Sequence, residues 1–357
     1  MRYFLETPSL SQAGHNLMQV RIHVVTYRRP HLLERALKSL ISQTCTSWVC
    51  EVLNDDPADG RVAELINRIG DSRIRLSLPL LKRGGTGNFN YAFRRIDEPF
   101  TAILEDDNWW EPGFLDIMLD VLSKNANAIA ACCNERVWRE CEDGSWVNTG
   151  TTIWPISDAV EEFPFRASDK CGSAKICNSA MLYRTNNPYD LQTPSSIPID
   201  VTEHFRERVI PHPIILVYSP LVNYAETLKT HRSQDSAWSV YQTLLIASVF
   251  ILSDENQRRL LADELWCRAR TEQPLLKTAL LAAGCSYKEG RILWRQGSVS
   301  EKMRYLMHVL RHPVSAWAVY RSRSSRSEEL QWLLNGAFVE FVREKSKNIS
   351  GQMKPGI

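Results

Sequence analysis

The sequence predicts an α/β fold in which helices flank a mostly parallel β-sheet, followed by a helical C-terminal region. Two observations predict it. Between residues 19 and 135, short apolar runs alternate with segments of roughly 10–15 residues whose apolar positions recur at helical spacing. Such alternation is typical of βαβ crossovers, which connect parallel strands. After residue 236, amphipathic helical patterns follow one another with few strand signals.

The apolar runs predict five strands, expected at residues 20–26, 48–54, 73–78, 101–105 and 127–133. Pro30 and Pro112 open the first and fourth helices, because proline is tolerated in the first turn of a helix. The second and third helices are expected at residues 61–69 and 86–96. From residue 134 to 233 the alternation weakens, and tryptophans and prolines indicate hairpins and loops.

These changes of pattern predict three parts: a polar tail at residues 1–18, an α/β domain at 19–235 and an α-helical region at 236–357. The 357 residues are 44% hydrophobic and 24% charged, which excludes disordered and collagen-like chains. Lys and Arg number 43 against 41 Asp and Glu, so no overall positive field marks a nucleic-acid-binding protein.

The sequence features that report on the cellular compartment predict a cytoplasmic protein. The opening MRYFLETPSL lacks the apolar core of a secretory signal, and the continuous apolar runs are shorter than a membrane span needs. The nine cysteines are an odd number without a CxxC pair, so we expect reduced thiols rather than a disulfide framework or a zinc ribbon.

The predicted strand ends place acidic side chains where ligands bind. In an open parallel sheet, ligands lie beyond the carboxyl ends of the strands. The second strand ends in Asp55-Asp56, and the fourth ends in Glu105-Asp106-Asp107-Asn108. Adjacent carboxylates suit a divalent cation such as Mg²⁺ or Mn²⁺ beside a diphosphate. The alternative is a solvated acidic turn before a helix, and the position after the fourth strand favours a site.

Glycine patterns exclude other nucleotide-binding classes. The first strand is followed by TYRRP, which has no glycine, so the phosphate turn of a dinucleotide-binding protein or a nucleotidyltransferase is missing. Gly85-Thr86-Gly87 lacks the third glycine of that turn, and no GxxxxGK[ST] motif of a P-loop NTPase is found in the sequence.

Four segments in order resemble glycosyltransferase family 2: VRIHVVTYRRPHLLERALKSLISQT, VLNDDPADG, GNFNYAFRR and AILEDDNWWEPGFL. The resemblance is close over residues 19–135 and loose to about residue 240. It implies the GT-A fold, which is a Rossmann-like, mostly parallel sheet flanked by helices. It also implies a nucleotide-diphosphate sugar donor, with UDP-sugars as the leading class, one divalent metal ion, and inversion at the anomeric carbon.

The resemblance also implies roles for individual residues. Asp107 would bind the metal, and Asp106 would hold the ribose or the donor sugar. Asp55, or alternatively Asp56, would accept a hydrogen bond from the base, although Asp56-Pro57 stands where the family usually has Gly-Ser. The remaining nucleotide-binding residues that it implies are Thr26, Arg28, Arg83 and Asn90.

An inverting transfer needs a base that takes the proton of the acceptor hydroxyl. The family places this carboxylate at the start of a late helix, and the segment PIDVTEHFR offers Asp200, with Glu203 as the fallback. The alternative is that both acids only stabilise the N-terminus of the helix. The segment from Lys229 to Ser236, after Tyr224, resembles a family motif whose histidine is His231, a candidate third metal ligand.

Two aromatic-rich stretches have several interpretations. Trp109-Trp110 is expected either to stack on a sugar or to pack in the core. Residues 291–326 hold eight Lys or Arg and one acid, Glu301, with aromatic residues interleaved. This pattern favours an anionic membrane surface, with an RNA-binding patch or a solvated helical face as alternatives.

The sequence therefore predicts a metal-dependent inverting glycosyltransferase with a glycan or lipid-linked acceptor, acting in cell-envelope or surface polysaccharide synthesis. We expect it in the cytoplasm, peripheral to the inner face of the membrane, with no nucleic-acid partner. The rival from another class is a non-catalytic protein that binds a sugar nucleotide or glycan on the same fold, because fold does not fix function.

Overall fold

The computed structural model describes residues 19–79, 81–163, 166–172, 174–187, 190–228 and 235–336, with the side chains of 235–237 excepted. Ten strands join in one sheet: β1 (Val20–Thr26), β2 (Trp48–Asn54), β3 (Ile74–Ser77), β4 (Phe100–Glu105), β5 (Trp109–Trp110), β6 (Ala130–Glu140), β7 (Trp146–Thr152), β8 (Val160–Glu162), β9 (Met181–Arg184) and β10 (Ile214–Glu226).

The helices of the α/β part are α1 (Pro30–Ile41), α2 (Gly60–Ile69), α3 (Gly84–Ala92), α4 (Phe114–Lys124) and α5 (Ile199–Val209). The C-terminal region contains α6 (Asp235–Leu252), α7 (Glu255–Thr271), α8 (Leu276–Ser286), α9 (Arg291–Gln296), α10 (Val299–Arg311) and α11 (Pro313–Ser325). Residues 327–336 form a further helical segment. The predicted α/β fold with a helical C-terminal region is confirmed.

The central sheet has the strand order β3-β2-β1-β4-β9-β6-β10-β5. Strands β3, β2, β1 and β4 are parallel neighbours, connected by the helices that the apolar spacing predicts. Thr26 pairs with Asn54 and Val25 pairs with Glu105, so these three strands end side by side. Strand β9 joins β4 to β6 in antiparallel orientation. The parallel half thus brings the strand ends chosen from the sequence to one edge.

Two elements depart from their predicted bounds by more than two residues. Helix α3 ends at Ala92, four residues before the predicted end at 96, and its last turn is closed at Phe93, whose N–H donates to the carbonyl oxygens of Phe89 and Asn90. Strand β6 continues past the predicted end at residue 133 to Glu140, because its second half pairs with β7 in an antiparallel hairpin. Both differences arise from local pairing that the apolar pattern does not encode.

The C-terminal helices pack directly against the α/β part. Phe205 of α5 contacts Tyr241 of α6, with ring centroids 5.9 Å apart, in a shared apolar cluster. A second cluster joins α6, α7, α8 and α9. The domain boundary at residue 235 stays a prediction, since α6 begins there but shares its core with α5. None of the helices in the described ranges is long and apolar enough to cross a membrane.

The crossing of α8 and α9 depends on Gly284. A Cβ at this position would lie 2.7 Å from the backbone nitrogen of Trp294 and 3.2 Å from the carbonyl oxygen of Gly290. Neither backbone atom can yield without moving the helix, so we expect Gly284→Ala to lower the free energy of unfolding by about 1–3 kcal/mol, measured by urea denaturation. The matched control is Gly60→Ala, where no atom lies within 4 Å of the added methyl group. An equal loss in both variants would contradict this close helix crossing.

Candidate active site

The carboxylate of Asp106 lies at the meeting point of β1 and β4. Its side chain is fully buried, and its Oδ2 accepts a hydrogen bond of 2.7 Å from the hydroxyl of Thr26, the last residue of β1. Parallel pairing places Thr26 and Asp106 at neighbouring strand ends, as the sequence predicts. Two of the predicted nucleotide-binding residues are therefore in direct contact.

Arg29 contacts both aspartates of the turn after β4. We call this turn, residues 105–108, the acidic turn. Its Nε donates to Asp106 Oδ2 at 3.3 Å and Nη1 donates to Asp107 Oδ2 at 2.9 Å, while Nη2 pairs with Asp106 Oδ1. Burial raises the pKa of Asp106 to about 7, and the positive charge of Arg29 acts in the opposite direction. Because one guanidinium faces two carboxylates, the turn keeps an excess of acidic groups, and Asp107 is the more exposed of the two.

The backbone of the acidic turn is held by α1. Arg35 donates from Nη2 to the carbonyl oxygen of Asp107 at 2.7 Å, and its guanidinium lies 3.8 Å from the ring centroid of Trp109. Trp110 is buried, stacks on Phe114 at 4.2 Å between ring centroids, and donates its indole N–H to the carbonyl oxygen of Ser179. Trp110 therefore packs in the core, as one of the two interpretations expects, whereas Trp109 stays partly exposed beside Arg35.

Asp55 and Asp56 have different surroundings at the end of β2. Asp55 is buried, and its Oδ1 accepts hydrogen bonds from the backbone N–H groups of Arg83 at 2.9 Å and Gly84 at 3.0 Å. Asp56 forms an ion pair with the exposed Arg28. The structure thus gives Asp55 a local task, which is to hold the start of α3. Recognition of the base by either aspartate stays a prediction.

Arg83 and Asn90 lie at the two ends of α3. The guanidinium of Arg83 lies 3.8 Å from the ring centroid of Tyr91. The Asn90 amide donates to the carbonyl oxygen of Thr193 at 2.7 Å, and its Oδ1 accepts from the N–H of Thr193 at 2.9 Å and from Arg206 at 3.2 Å. Asn90 ties α3 to the segment before α5, and a contact of either residue with a nucleotide stays a prediction.

Glu105 and Glu203, both half-buried, belong to a second group of acids. One ligand atom each of Glu105, Cys177 and Glu203 lies within 4.8 Å of the others. Oε2 of Glu105 accepts hydrogen bonds from Ser179 Oγ at 3.0 Å and from Cys177 Sγ at 3.4 Å. Oε1 of Glu203 accepts from the N–H of Asn178 at 2.8 Å. The segment before β9 therefore connects the acidic turn to α5.

The electrostatics of this group favour protonated carboxyls near neutral pH. Burial raises the pKa of Glu105 to about 8, with the neighbouring Glu203 and Asp107 adding to the shift. Burial beside Glu105 also raises the pKa of Glu135 to about 8. Burial raises the pKa of Glu203 to about 7. These acids therefore hold protons at a pH where the exposed acids of the protein are ionised.

The candidate base residues are neighbours on one side of α5, since they lie three residues apart in the helix. Both are half-buried: Asp200 lies in the first turn, and Glu203 lies beside Glu105 and Cys177. His204 follows Glu203 and lies edge-on to Trp238 of α6, with ring centroids 4.7 Å apart. Burial lowers the pKa of His204 to about 4, which keeps its imidazole neutral. The predicted metal ligand His231 lies outside the described residues.

The donor set of the acidic turn suits a hard divalent cation. The carboxylate of Asp107 is partly exposed and lies beside that of Asp106, with a single guanidinium facing both. Oxygen ligands from one or two carboxylates, completed by substrate phosphates, are typical of Mg²⁺ and Mn²⁺ sites. The residues therefore fit a divalent cation, and the assignment of Asp107 as its ligand stays a prediction.

Sequence reasoning missed Arg29 and the partners of Glu105. Arg29 follows β1 at the same sheet edge as the acids, so the strand-end rule that selected Thr26 also selects it. Cys177 and Ser179 lie between residues 134 and 233, where the helix and strand alternation weakens. They are 72 and 74 residues from Glu105 in the chain. No local pattern marks that contact.

The ion pair of Arg29 gives a stability prediction. Arg29→Met leaves the buried Asp106 without its cation, so we expect the free energy of unfolding at pH 7 to fall by about 2–4 kcal/mol. The neighbouring Arg28→Met is the matched control, because Arg28 is 62% exposed and solvent weakens its pair with Asp56, so we expect a much smaller loss. Urea denaturation of both variants measures the difference. Equal losses would show that Arg29 does not neutralise a buried charge.

Comparisons with known proteins bear on this site. Residues 21–183 match the family model of glycosyl transferase family 2. A curated relative is the UDP-Glc:alpha-D-GlcNAc-diphosphoundecaprenol beta-1,3-glucosyltransferase WfgD of Escherichia coli, 27% identical over 106 residues. That match covers 30% of this chain and 42% of WfgD, so it spans less than half of the relative.

Solved structures share the fold at low identity. S. aureus TarS 1–349 in complex with UDP superposes with a TM-score of 0.53 at 12% identity, covering 95% of this chain and 93% of that one. The same protein in complex with UDP-GlcNAc gives a TM-score of 0.52 at 12% identity, with 90% of each chain covered. Residues 21–183 therefore match glycosyltransferase family 2, and the chain has the fold of these GT-A structures.

Proposed function

We propose that this protein is a metal-dependent inverting glycosyltransferase that uses a nucleotide-diphosphate sugar, a UDP-sugar foremost. The observation that carries the proposal is the contact of Thr26, Arg29 and Asp106 beside Asp107, at adjoining strand ends of a family 2 domain. TarS, which shares the fold, has been crystallised with UDP and with UDP-GlcNAc. This supports the donor class.

Each residue of the acidic turn has a task in this proposal. Asp107 holds Mn²⁺ or Mg²⁺, which when bound neutralises the charge that develops on the departing diphosphate. Asp106 accepts hydrogen bonds in the donor pocket, and its burial keeps its position fixed. Arg29 balances the charge of both aspartates and supplies a guanidinium at the place where the diphosphate is expected.

The general base of the proposal is Asp200. A base must reach the acceptor hydroxyl, and Asp200 is a partly exposed carboxylate in the first turn of α5. Glu203 is turned inward and its Oε1 is engaged by the N–H of Asn178. We therefore assign Glu203 the positioning of the segment before β9 and keep it as the fallback base.

The proposed acceptor is a glycan carried on a lipid. WfgD, whose name describes transfer to a diphosphoundecaprenol-linked sugar, matches the chain over 106 residues. This supports a place in envelope or surface polysaccharide synthesis, at the inner face of the membrane. Donor hydrolysis can be measured without the acceptor, which makes it the first assay.

The metal and donor assignments predict a specific loss of activity. Asp107→Asn should lower UDP-sugar hydrolysis with Mn²⁺ by about 100-fold or more, because removing a pre-positioned electrostatic group at a developing charge typically has that effect. It should also abolish the rise in melting temperature that UDP and Mn²⁺ together give the wild type. Asp120→Asn on α4, whose partly exposed carboxylate pairs with Lys124 away from the acidic turn, is the control.

Two outcomes would count against this proposal. Normal turnover by Asp107→Asn would exclude the metal assignment. A rise in melting temperature with UDP and Mn²⁺, without hydrolysis or transfer of any UDP-sugar, would instead favour a non-catalytic sugar-nucleotide-binding protein.

The base assignment predicts that Asp200→Asn lowers kcat about 10²- to 10⁴-fold in transfer assays. The UDP-dependent rise in melting temperature should persist, since the base touches the acceptor and not the nucleotide. Glu203→Gln keeps the side-chain oxygen that accepts the Asn178 hydrogen bond, so we expect a smaller loss. If Glu203→Gln is the inactive variant and Asp200→Asn is not, the fallback assignment replaces the first.

A further inference from the structure

Helix α10 and helix α11 leave apolar side chains on the surface. None of the 13 residues of α10 is buried. We define the C-terminal apolar face as the exposed apolar residues of these two helices: Val299, Met303, Leu306, Met307 and Leu310 on α10, and Val314, Trp317 and Tyr320 on α11. Those on α10 are 45–78% exposed and those on α11 are 59–82% exposed. A set of this size differs from the single exposed apolar residues that every protein has.

The five apolar residues of α10 lie on one side of the helix. Their spacing, 299, 303, 306, 307 and 310, repeats every three or four residues, so at 100° per residue they form one continuous stripe. On α11, Val319 and Ser322 face the protein, and Trp317 and Tyr320 stack outside with ring centroids 5.8 Å apart. The apolar face is therefore continuous along α10 and carries aromatic rings on α11.

Basic residues border this face. By the same helical angle, Arg304 and Arg311 flank the α10 stripe on one side and Lys302 flanks it on the other. Arg321 lies 5.8 Å from the ring centroid of Trp317. The one acid between residues 291 and 326, Glu301, is neutralised by an ion pair with Arg270 of α7. The charge around the apolar face is thus positive.

We propose that the C-terminal apolar face binds the surface of an anionic phospholipid bilayer. A helix with an apolar stripe and basic flanks lies in the plane of the interface, with its apolar side chains in the acyl boundary and its cations at the headgroups. Tryptophan and tyrosine are favoured at that depth. The positive flanks select anionic lipid, because each Lys or Arg near such a surface adds attraction.

The charges argue against a second copy of the chain as the occupant. A two-fold dimer through this face would set Arg304 and Arg311 against the same residues of the other copy, which is repulsive. The inference goes beyond the proposed reaction and does not rest on it, since the face lies on helices that contribute no residue to the acidic turn. The proposed membrane contact specifies how an enzyme whose acceptor is carried on a lipid would reach that acceptor.

The test is co-sedimentation of the full chain with vesicles of phosphatidylcholine alone or of equal parts phosphatidylcholine and phosphatidylglycerol. We expect binding to the anionic vesicles in low salt, weaker binding in high salt and none to phosphatidylcholine alone. Met307→Gln/Leu310→Gln and Arg304→Gln/Arg311→Gln should each lower the partition coefficient about tenfold or more. The matched control is Arg259→Gln/Leu260→Gln on α7, where Leu260 is 71% exposed.

The outcomes separate this proposal from its rivals and from the proposed function. The substituted side chains are exposed, so the melting temperatures and donor hydrolysis of these variants should equal those of the wild type. Absence of binding to anionic vesicles in low salt would overturn the proposal, as would an equal loss in the α7 control. A wild-type dimer that Met307→Gln/Leu310→Gln converts to a monomer in light scattering would show that a second copy covers the face.

Discussion

The buried carboxylate of Asp106 is the interaction on which the rest of the site depends. It accepts from Thr26 at the end of β1 and from Arg29 just before α1, so one side chain fixes the strand end, the start of the helix and the acidic turn. A buried carboxylate is costly unless it is paired and hydrogen-bonded. Arg29 must therefore stay near Asp106, and this also holds it beside Asp107. The partly exposed Asp107 thus receives a fixed position from a neighbour that is itself hidden from solvent.

Glu105 and Asp106 are adjacent in the chain and serve opposite sides of β4. Asp106 contacts β1 through Thr26, whereas Glu105 contacts Ser179 in the turn before β9. β1 and β9 are the two neighbours of β4 in the sheet. The pair of acids therefore connects the parallel half of the sheet to its antiparallel half. The pKa of Glu105 is raised to about 8 by burial, so it acts there as a neutral hydrogen-bonding group. The negative charge of the turn is therefore concentrated on the side of Asp107.

The parts of this structure that follow from local or strand-end rules were predictable from the sequence. The bounds of β1 and β2 match the apolar runs, and parallel pairing then brings Thr26 and Asp106 together. The contact of Glu105 with Cys177 was not predictable, because it joins a strand end to an irregular segment with no periodicity. Asn90 shows the opposite case. The resemblance to the family implies that Asn90 contacts the nucleotide. In the structure, the amide of Asn90 forms hydrogen bonds with Thr193 and Arg206.

The near-balance of 43 basic and 41 acidic residues hides two regions of opposite charge. Acids collect at the strand ends, where a diphosphate can approach only if a cation reduces the repulsion. Basic residues collect around α10 and α11, which have no part in that turn. If a lipid carries the acceptor, the acceptor is confined to the membrane surface, and an enzyme held there meets it at a high effective concentration. On the two proposals together, the chain would bind a bilayer through a positive face while a separate acidic site stays free for a metal ion and its nucleotide.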